Sequence, residues 1–567
     1  MIHIRFSAEL GSKLIRPRLC IKDADHEVMV HPRSVPPHIT VMSLLLTVSV
    51  LAILSLWMVK RLWRIGSREQ ALPPGPPTLP LIGNLHVFPQ TRAHLRLTEW
   101  ARTYGEIYSL KIGSGTAIVV SSAKMARECF ELHGATTSDR PAIHVIELVY
   151  KGLEMPWSRY GTHWRNMRRA AHDLLNKEAC LSHLPIQRAE ASQLMHDILQ
   201  QPQHLYAHIR RYTASVAFSL IFGIHCSMYD NPIVEEFYEG QRTWEHILRP
   251  GGHPPVDIFP LLKHVPERWA SWKGLCREVR SRQHQLYFPL LQNCIDRIKS
   301  DRRNHSFMEY VLEHEDHYEF TREMTVYLGI SLIEAGADTT AIFLQFFLVF
   351  MLAHPDVKFR AQKDIDDVIG DNRSPNLEDI DDLPYIKAII NEVHRCRPVA
   401  PTAIPHAATK DERIGGFFIP KGSAIFMNIW GMSRDPELFD DPNRFWPERY
   451  LKSEHGTKPG VDTTGLRSDM PMSFGGGRRI CPGVHLAYNS IAMNVMNLLW
   501  AFNIELPKDP VTGNSIPPDE DDTTDGLFLT PKPFKCDITP RSTAKVDIIK
   551  KQFNAAEPTF ELFDKSS

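Results

Sequence analysis

The chain is poor in several features that would each have pointed to a function. Its 567 residues hold nine cysteines, at 20, 129, 180, 226, 276, 294, 396, 481 and 536, and no pair has CxxC spacing. So dilute and odd a set argues against a disulfide scaffold or a zinc ribbon and fits a reducing compartment better. Charge of one sign is lacking too. The formal net charge is -1 with no basic excess, which speaks against nucleic acid as a partner. No internal repeat and no full GxGxxG occur; IGSG at 112–115 has neither that pattern nor its helix, so it is no dinucleotide fingerprint. His314 and His317, in EHEDHYEF, stand three apart without a third ligand and read as surface loop rather than metal site.

One long apolar run is present. ITVMSLLLTVSVLAILSLWMV, residues 39–59, carries no charge. As a helix it would be about 31 Å long, against about 30 Å of bilayer hydrocarbon. Lys60, Arg61, Arg64 and Arg68 follow it. Such flanks stay cytosolic, which predicts a permanent single-pass anchor with the rest of the chain in the cytosol. The run is long for a cleaved signal peptide, starts late, and no AxA-type site follows. Residues 1–38 mix both signs of charge without an amphipathic period and read as an extension, with Met42 as an alternative start. LPPGPPTLPLIGNL (72–85) has five prolines, a density that excludes helix or central strand and predicts a stiff hinge over 60–85.

Beyond residue 86 the patterning predicts one large, mainly α-helical domain with a minor sheet. Helices are expected over 161–179, 186–199, 206–225, 271–299, 321–353, 355–369, 384–396 and 484–501, and strands within 106–120. VDIFPLLKHVP (256–266) and IVEEFYEG (233–240) are expected near loops, as core turns or as surfaces that dip into lipid.

The stretch FGGGRRICPG, residues 474–483, carries the strongest chemistry. Its glycines permit turns that a side chain would block, so backbone N–H groups and a following helix start can surround the Cys481 sulfur. Arg478 and Arg479 suit anionic groups. On these residues alone Cys481 is a buried thiol, a nucleophile or an iron ligand.

The ten residues resemble the haem-binding loop of the cytochrome P-450 superfamily, Phe-Gly-x-Gly-x-Arg-x-Cys-x-Gly, with all six fixed places filled. The resemblance implies that Cys481 is the axial thiolate ligand of haem iron, that Phe474 shields the sulfur and that Arg479 meets a propionate. AGADTT (335–340), inside the apolar run LGISLIEAGADTTAIFLQFFLVF, is similar to the family's distal helix. A buried Asp and Thr need partners. One is a local Thr-to-carbonyl bond in a packing notch; the resemblance instead assigns Asp338 and Thr339 to oxygen binding and O–O cleavage. EVHR (392–395) and FWPERY (445–450) resemble the family's Glu-x-x-Arg and its distant arginine, which makes Glu392, Arg395 and Arg449 structural. Trp164 and Arg168, in WRNMR, and His406, in IPHAATKD, fall at propionate-contact places, and the turn near 527–529 at the substrate cavity.

The resemblance spans about 70–545, in the microsomal class, and is nearest to filamentous-fungal members of secondary metabolism. It implies a cytochrome P-450 fold, haem b, O2, and a small, fairly apolar organic substrate. Residues 482–567 are needed to finish the fold and leave no room for a flavin domain. Electrons are therefore expected from NADPH through a separate cytochrome P-450 reductase, at the endoplasmic reticulum membrane. Two other readings stand beside the monooxygenase: a haem-thiolate isomerase or dehydratase without external O2, and a non-catalytic membrane haem-binding protein. The acid–Thr pair disfavours both.

Overall fold

A computed structural model describes residues 22–23, 26–27, 37–249, 251–467, 470–508, 512–515 and 517–564. The chain divides into two compact units, Met1–Arg64 and Ile65–Ser567. Most of residues 1–38, Cys20 included, lies outside the described residues.

The first unit holds two short paired strands, Lys22–Asp23 and His26–Glu27, and the helix α1, Pro37–Arg64. The helix extends past the expected run at both ends, and Arg61 and Arg64 lie in its last turn, where cations suit the negative end of the helix dipole. Within it, Leu44–Arg64 is long and apolar enough to cross a membrane, and none of that window is buried.

The second unit is mainly helical. The strands β1 (Ile107–Ile112) and β2 (Gly115–Val120) form an antiparallel pair at the start. Helices follow in order: α2 (His144–Tyr150), α3 (Thr162–Leu175), α4 (Leu184–Gln200), α5 (Leu205–Phe222), α6 (Pro232–Leu248), α7 (Ser271–Lys299), α8 (Arg322–Ala353) and α9 (Pro384–Cys396). Then come β3 (His406–Ala407), β4 (Ala424–Met427), α10 (Val484–Ala501), β5 (Phe502–Glu505), β6 (Asp537–Pro540) and α11 (Thr543–Asp564). The main sheet has the order β1-β2-β4-β3; β2 and β4 run parallel, with Ile118 opposite Ile425, and β3 returns antiparallel, with His406 opposite Ile425.

Helix α8 is the axis of the unit. It is apolar all round, and a helix of that kind must be surrounded by protein or lipid. Its membrane-like window is 83% buried, against none in α1, so protein surrounds it. Thr321 caps its start by accepting the Met324 N–H. Phe343, Phe346, Phe347 and Phe350 join Ile389, Val393, Met496 and Trp500 from α9 and α10 in the largest core cluster.

One expectation changes. IVEEFYEG is not loop but the first half of α6, and Val234, Phe237 and Tyr238 are buried there. The alternation of acidic and apolar residues is that of an amphipathic helix face, which a window of eight residues does not distinguish from loop. The Pro-rich stretch is held in place by hydrogen bonds. Asn84 donates to the carbonyls of Pro76 and Pro77, Arg68 to Gly75 O at 2.7 Å, and Ser109 of β1 to Pro73 O at 2.6 Å.

Candidate active site

The loop 474–483 is shaped by two left-handed glycines, Gly475 (φ 74°) and Gly477 (φ 62°). At Gly477 a Cβ would stand 2.0 Å from the Phe130 carbonyl oxygen, so no other residue fits. The loop is closed by the Cys481 N–H, which donates to Phe474 O at 3.0 Å, and α10 begins three residues after the cysteine. Cys481 is half-buried and faces a cavity of about 290 Å³. Burial raises its thiol pKa; the Gly483 N–H and the Arg168 guanidinium oppose that, without outweighing it in the bare protein. The Gly483 N–H is thus one loop donor directed at the sulfur.

Three guanidinium groups line the same cavity. Arg140, buried, donates to the carbonyls of Pro156, Ile404 and Pro405 at 2.7–3.0 Å. Arg479 donates to Ser138 O and Ser158 O at 2.9 and 2.7 Å and lies 4.2 Å over the Trp164 ring. Among the described residues Arg168 makes no hydrogen bond or ion pair. Burial depresses all three groups: Arg479 falls to about 10, with Asp139 opposing and Arg168 lowering it further, and Arg479 in turn lowers Arg140. His406 turns Nδ1 to Thr137 O at 2.9 Å, and burial keeps its ring neutral. Crowded cations that spend their donors on carbonyls, beside one with no partner, call for an anion. Trp164, Arg168, His406, Phe474, Arg479 and Cys481 all line this one cavity, and a sulfur, a cationic rim and an apolar wall together fit haem. Arg478 does not join them; it is exposed and donates to the Tyr160 hydroxyl. Arg140 is the rim residue that the sequence reading missed, since SDRPAI carries no motif.

Helix α8 brings Ala335, Asp338 and Thr339 to the cavity. The Thr339 hydroxyl donates to its own Ala335 O at 2.8 Å, the local bond the sequence allowed. Asp338 is buried and its carboxyl is raised by burial, with Arg210 opposing. Glu334, Glu154 and Glu245 also line the cavity and were not anticipated. A signal for Glu334 existed: it is a second acid in the apolar run, one turn before Asp338.

Glu392, Arg395 and Arg449 form one buried cluster just outside. Arg395 makes a fork to Glu392 at 2.7 Å on each oxygen, and Arg449 Nε meets Glu392 Oε1 at 3.1 Å. Arg395 also donates to the carbonyls of Ser433, Pro442 and Arg444, and the Trp446 N–H donates to Glu392.

The sequence model described as Cytochrome P450 matches residues 73–538. This chain belongs to the cytochrome P450 family. A cytochrome P450 monooxygenase of Armillaria gallica is 43% identical over 514 residues, covering 91% of this chain and 98% of that one. The monooxygenase yanC of Aspergillus niger is 36% identical, covering 87% and 94%. A zebra fish cytochrome P450 solved with progesterone superposes with a TM-score of 0.66 at 26% identity, covering 79% of this chain and 99% of that one. The P450 is therefore an oxidoreductase of the monooxygenase type, with a haem iron cofactor and electrons from a redox partner. The mainly helical P450 fold expected from the sequence is the one observed.

Proposed function

We propose that this P450 is a membrane-anchored haem-thiolate monooxygenase. Cys481 ligates the iron of haem b, NADPH supplies electrons through a separate membrane-bound reductase, and the substrate is a small organic molecule of fungal secondary metabolism. The observation that carries this reading is that Cys481 and the Asp338–Thr339 pair open on one cavity. When bound, haem supplies the activation of O2. The protein's own residues do the rest. Trp164, Arg168, His406 and Arg479 hold the propionates, and Phe474 covers the sulfur. Thr339 keeps a hydroxyl proton at the cavity wall, and Asp338 is the acid that exchanges protons with it. Leu527 and Phe528 close the substrate side.

Exposed apolar groups support a membrane site. Leu261 is 85% and Trp269 70% exposed. Ile258 and Leu81 O both approach Gly113, which sets the 256–266 segment beside exposed Leu79 and Leu81. With α1 as a single-pass anchor, these groups dip into the cytosolic leaflet of the endoplasmic reticulum. The fungal relatives support the assignment to secondary metabolism.

The test is expression with a fungal reductase. The reduced carbon monoxide complex should absorb at about 450 nm, Cys481→Ser should lose that band, and a metabolite screen should show NADPH-dependent gain of one oxygen. A folded serine variant that keeps the band overturns the ligand assignment. Turnover without NADPH demand replaces the monooxygenase by an isomerase.

A further inference from the structure

The cavity wall has a second chemical character, away from the cysteine. Glu334 of α8 is half-buried on that wall, and two donors fix its carboxyl from behind. The Tyr150 hydroxyl at the end of α2 donates to Oε2 at 3.0 Å, and the Gln283 amide of α7 donates to Oε1 at 2.8 Å. Both side chains come from separate helices, so the carboxyl is clamped in one orientation. A carboxylate has about four acceptor sites; two are used here. Among the described residues no lysine or arginine pairs with Glu334. A carboxyl kept only for packing would be closed off or matched by a cation. This one is neither, and one turn further along α8 Asp338 lines the same cavity, buried and with no hydrogen bond or ion pair among the described residues. Trp157, Trp244, Leu248, Val399 and Phe528 give the wall its apolar surface, with Glu154, Gln241 and Glu245 also on it.

We propose that Glu334 anchors a hydroxyl group of the substrate, so that the molecule oxidised here is a small amphiphile with an apolar body and a hydroxyl head. This rests on the monooxygenase reading and narrows the expectation of a small, fairly apolar substrate. A hydroxyl suits the site better than an ammonium. Burial raises Glu334 to about 7, with the Gln283 and Tyr150 bonds opposing. Near neutrality both protonation states are populated. A hydroxyl donates to the ionised carboxylate and accepts from the protonated acid, whereas an ammonium is served only by the first. Glu334 is therefore a specificity residue; Tyr150 and Gln283 are positioning residues that act through it.

The experiment uses the full-length haem-loaded protein and probes of one size: 2-naphthol, 2-methoxynaphthalene and 2-naphthylmethylamine, the last cationic at neutral pH. Dissociation constants are read from the change each causes in the haem absorption band. The wild type should bind 2-naphthol at least about tenfold more tightly than its methyl ether, the scale of a hydrogen bond to a charged group. In Glu334→Leu that preference should fall below about twofold, the ether binding as before. Tyr150→Phe leaves the carboxyl in place and loosens it, so it should lose part of the preference and carries the test if the leucine variant does not load haem. Preference intact in the loaded variants, or absent in the loaded wild type, overturns the anchor. Tighter binding of the ammonium than of the alcohol overturns the hydroxyl assignment. Failure of the wild type to give the band at about 450 nm would strike instead at the haem-thiolate reading.

Discussion

Gly477 and Thr339 are single residues whose loss should have opposite signatures. Gly477 combines a φ of 62° with a Cβ position 2.0 Å from Phe130 O. Gly477→Ala must move the Cys481 loop or the Phe130 backbone, and we expect a folded chain that has lost most of its haem, measured as haem per polypeptide. Thr339→Ala removes only a hydroxyl that the helix already satisfies through Ala335 O, so folding and haem content should not change. If that hydroxyl directs proton delivery, product per NADPH should fall while hydrogen peroxide rises. Asp338→Asn should slow turnover as well, because the amide cannot exchange the proton. An unchanged ratio of product, peroxide and NADPH in Thr339→Ala rules out the role. The residue scale is also where the sequence was least legible. Cys481, Asp338 and Thr339 announce themselves by unusual neighbours in the chain. Arg140, Glu154 and Glu245 acquire meaning only through what the fold brings beside them.

Among elements, the contact of α9 with the segment around Arg449 is the most tightly specified. Glu392 receives three partners, the Arg395 fork, Arg449 Nε and the Trp446 N–H, and all three charged side chains are buried. On an exposed helix the Glu392–Arg395 pair would contribute about 0.2–0.5 kcal/mol. Buried, removal of the acid leaves two guanidinium groups without their counter-charge, a loss of about 3–5 kcal/mol. Glu392→Ala should therefore yield poorly loaded or unfolded protein, seen as a lowered apparent melting point and a weak haem band. A well-loaded variant of ordinary stability with slow turnover would move the cluster from structure to catalysis. Helix α11 offers the contrast. It follows the last residue matched by the family, 538, and nothing in its sequence names a partner. In the structure Phe553 stacks on His196 and Phe560 on His225, each at 4.1 Å, while Ala556 and Phe560 pack on Ala189 of α4. Helical periodicity made α4, α5, α7, α8, α9 and α10 readable to within a few residues. Which helix covers which depends on long-range packing, to which a local pattern is blind. Phe560→Ala should cost about 3 kcal/mol and lower the melting point without altering the carbon monoxide spectrum.

At the scale of the molecule the proposed single-pass anchor fixes which side of a membrane carries the second unit, and one surface asparagine tests it. Two N-x-S matches occur, Asn304-His305-Ser306 and Asn372-Arg373-Ser374. They are unequal reporters. The Asn304 amide donates to Gly223 O at 2.8 Å and is half-buried, so a glycan there would oppose the fold on either side. Asn372 is exposed after the helix Pro355–Val368 and would keep a glycan if it met the lumen. Lys60, Arg61, Arg64 and Arg68 follow the apolar stretch of α1, and such a cluster stays cytosolic. Asn372 should therefore be bare in the native host, and a glycan acceptor fused ahead of residue 1 should be occupied in the same molecules. Starting at Met42 leaves most of the apolar run and all of its basic flank, so Asn372 should stay bare there too. Changing Lys60, Arg61 and Arg64 together to glutamate removes most of the bias, and a share of the molecules should then insert inverted, with glycan on Asn372 and a bare fused acceptor. Glycan on Asn372 in the unaltered chain would reverse the proposed orientation and, with it, the proposed supply of electrons from a cytosolic NADPH-linked reductase.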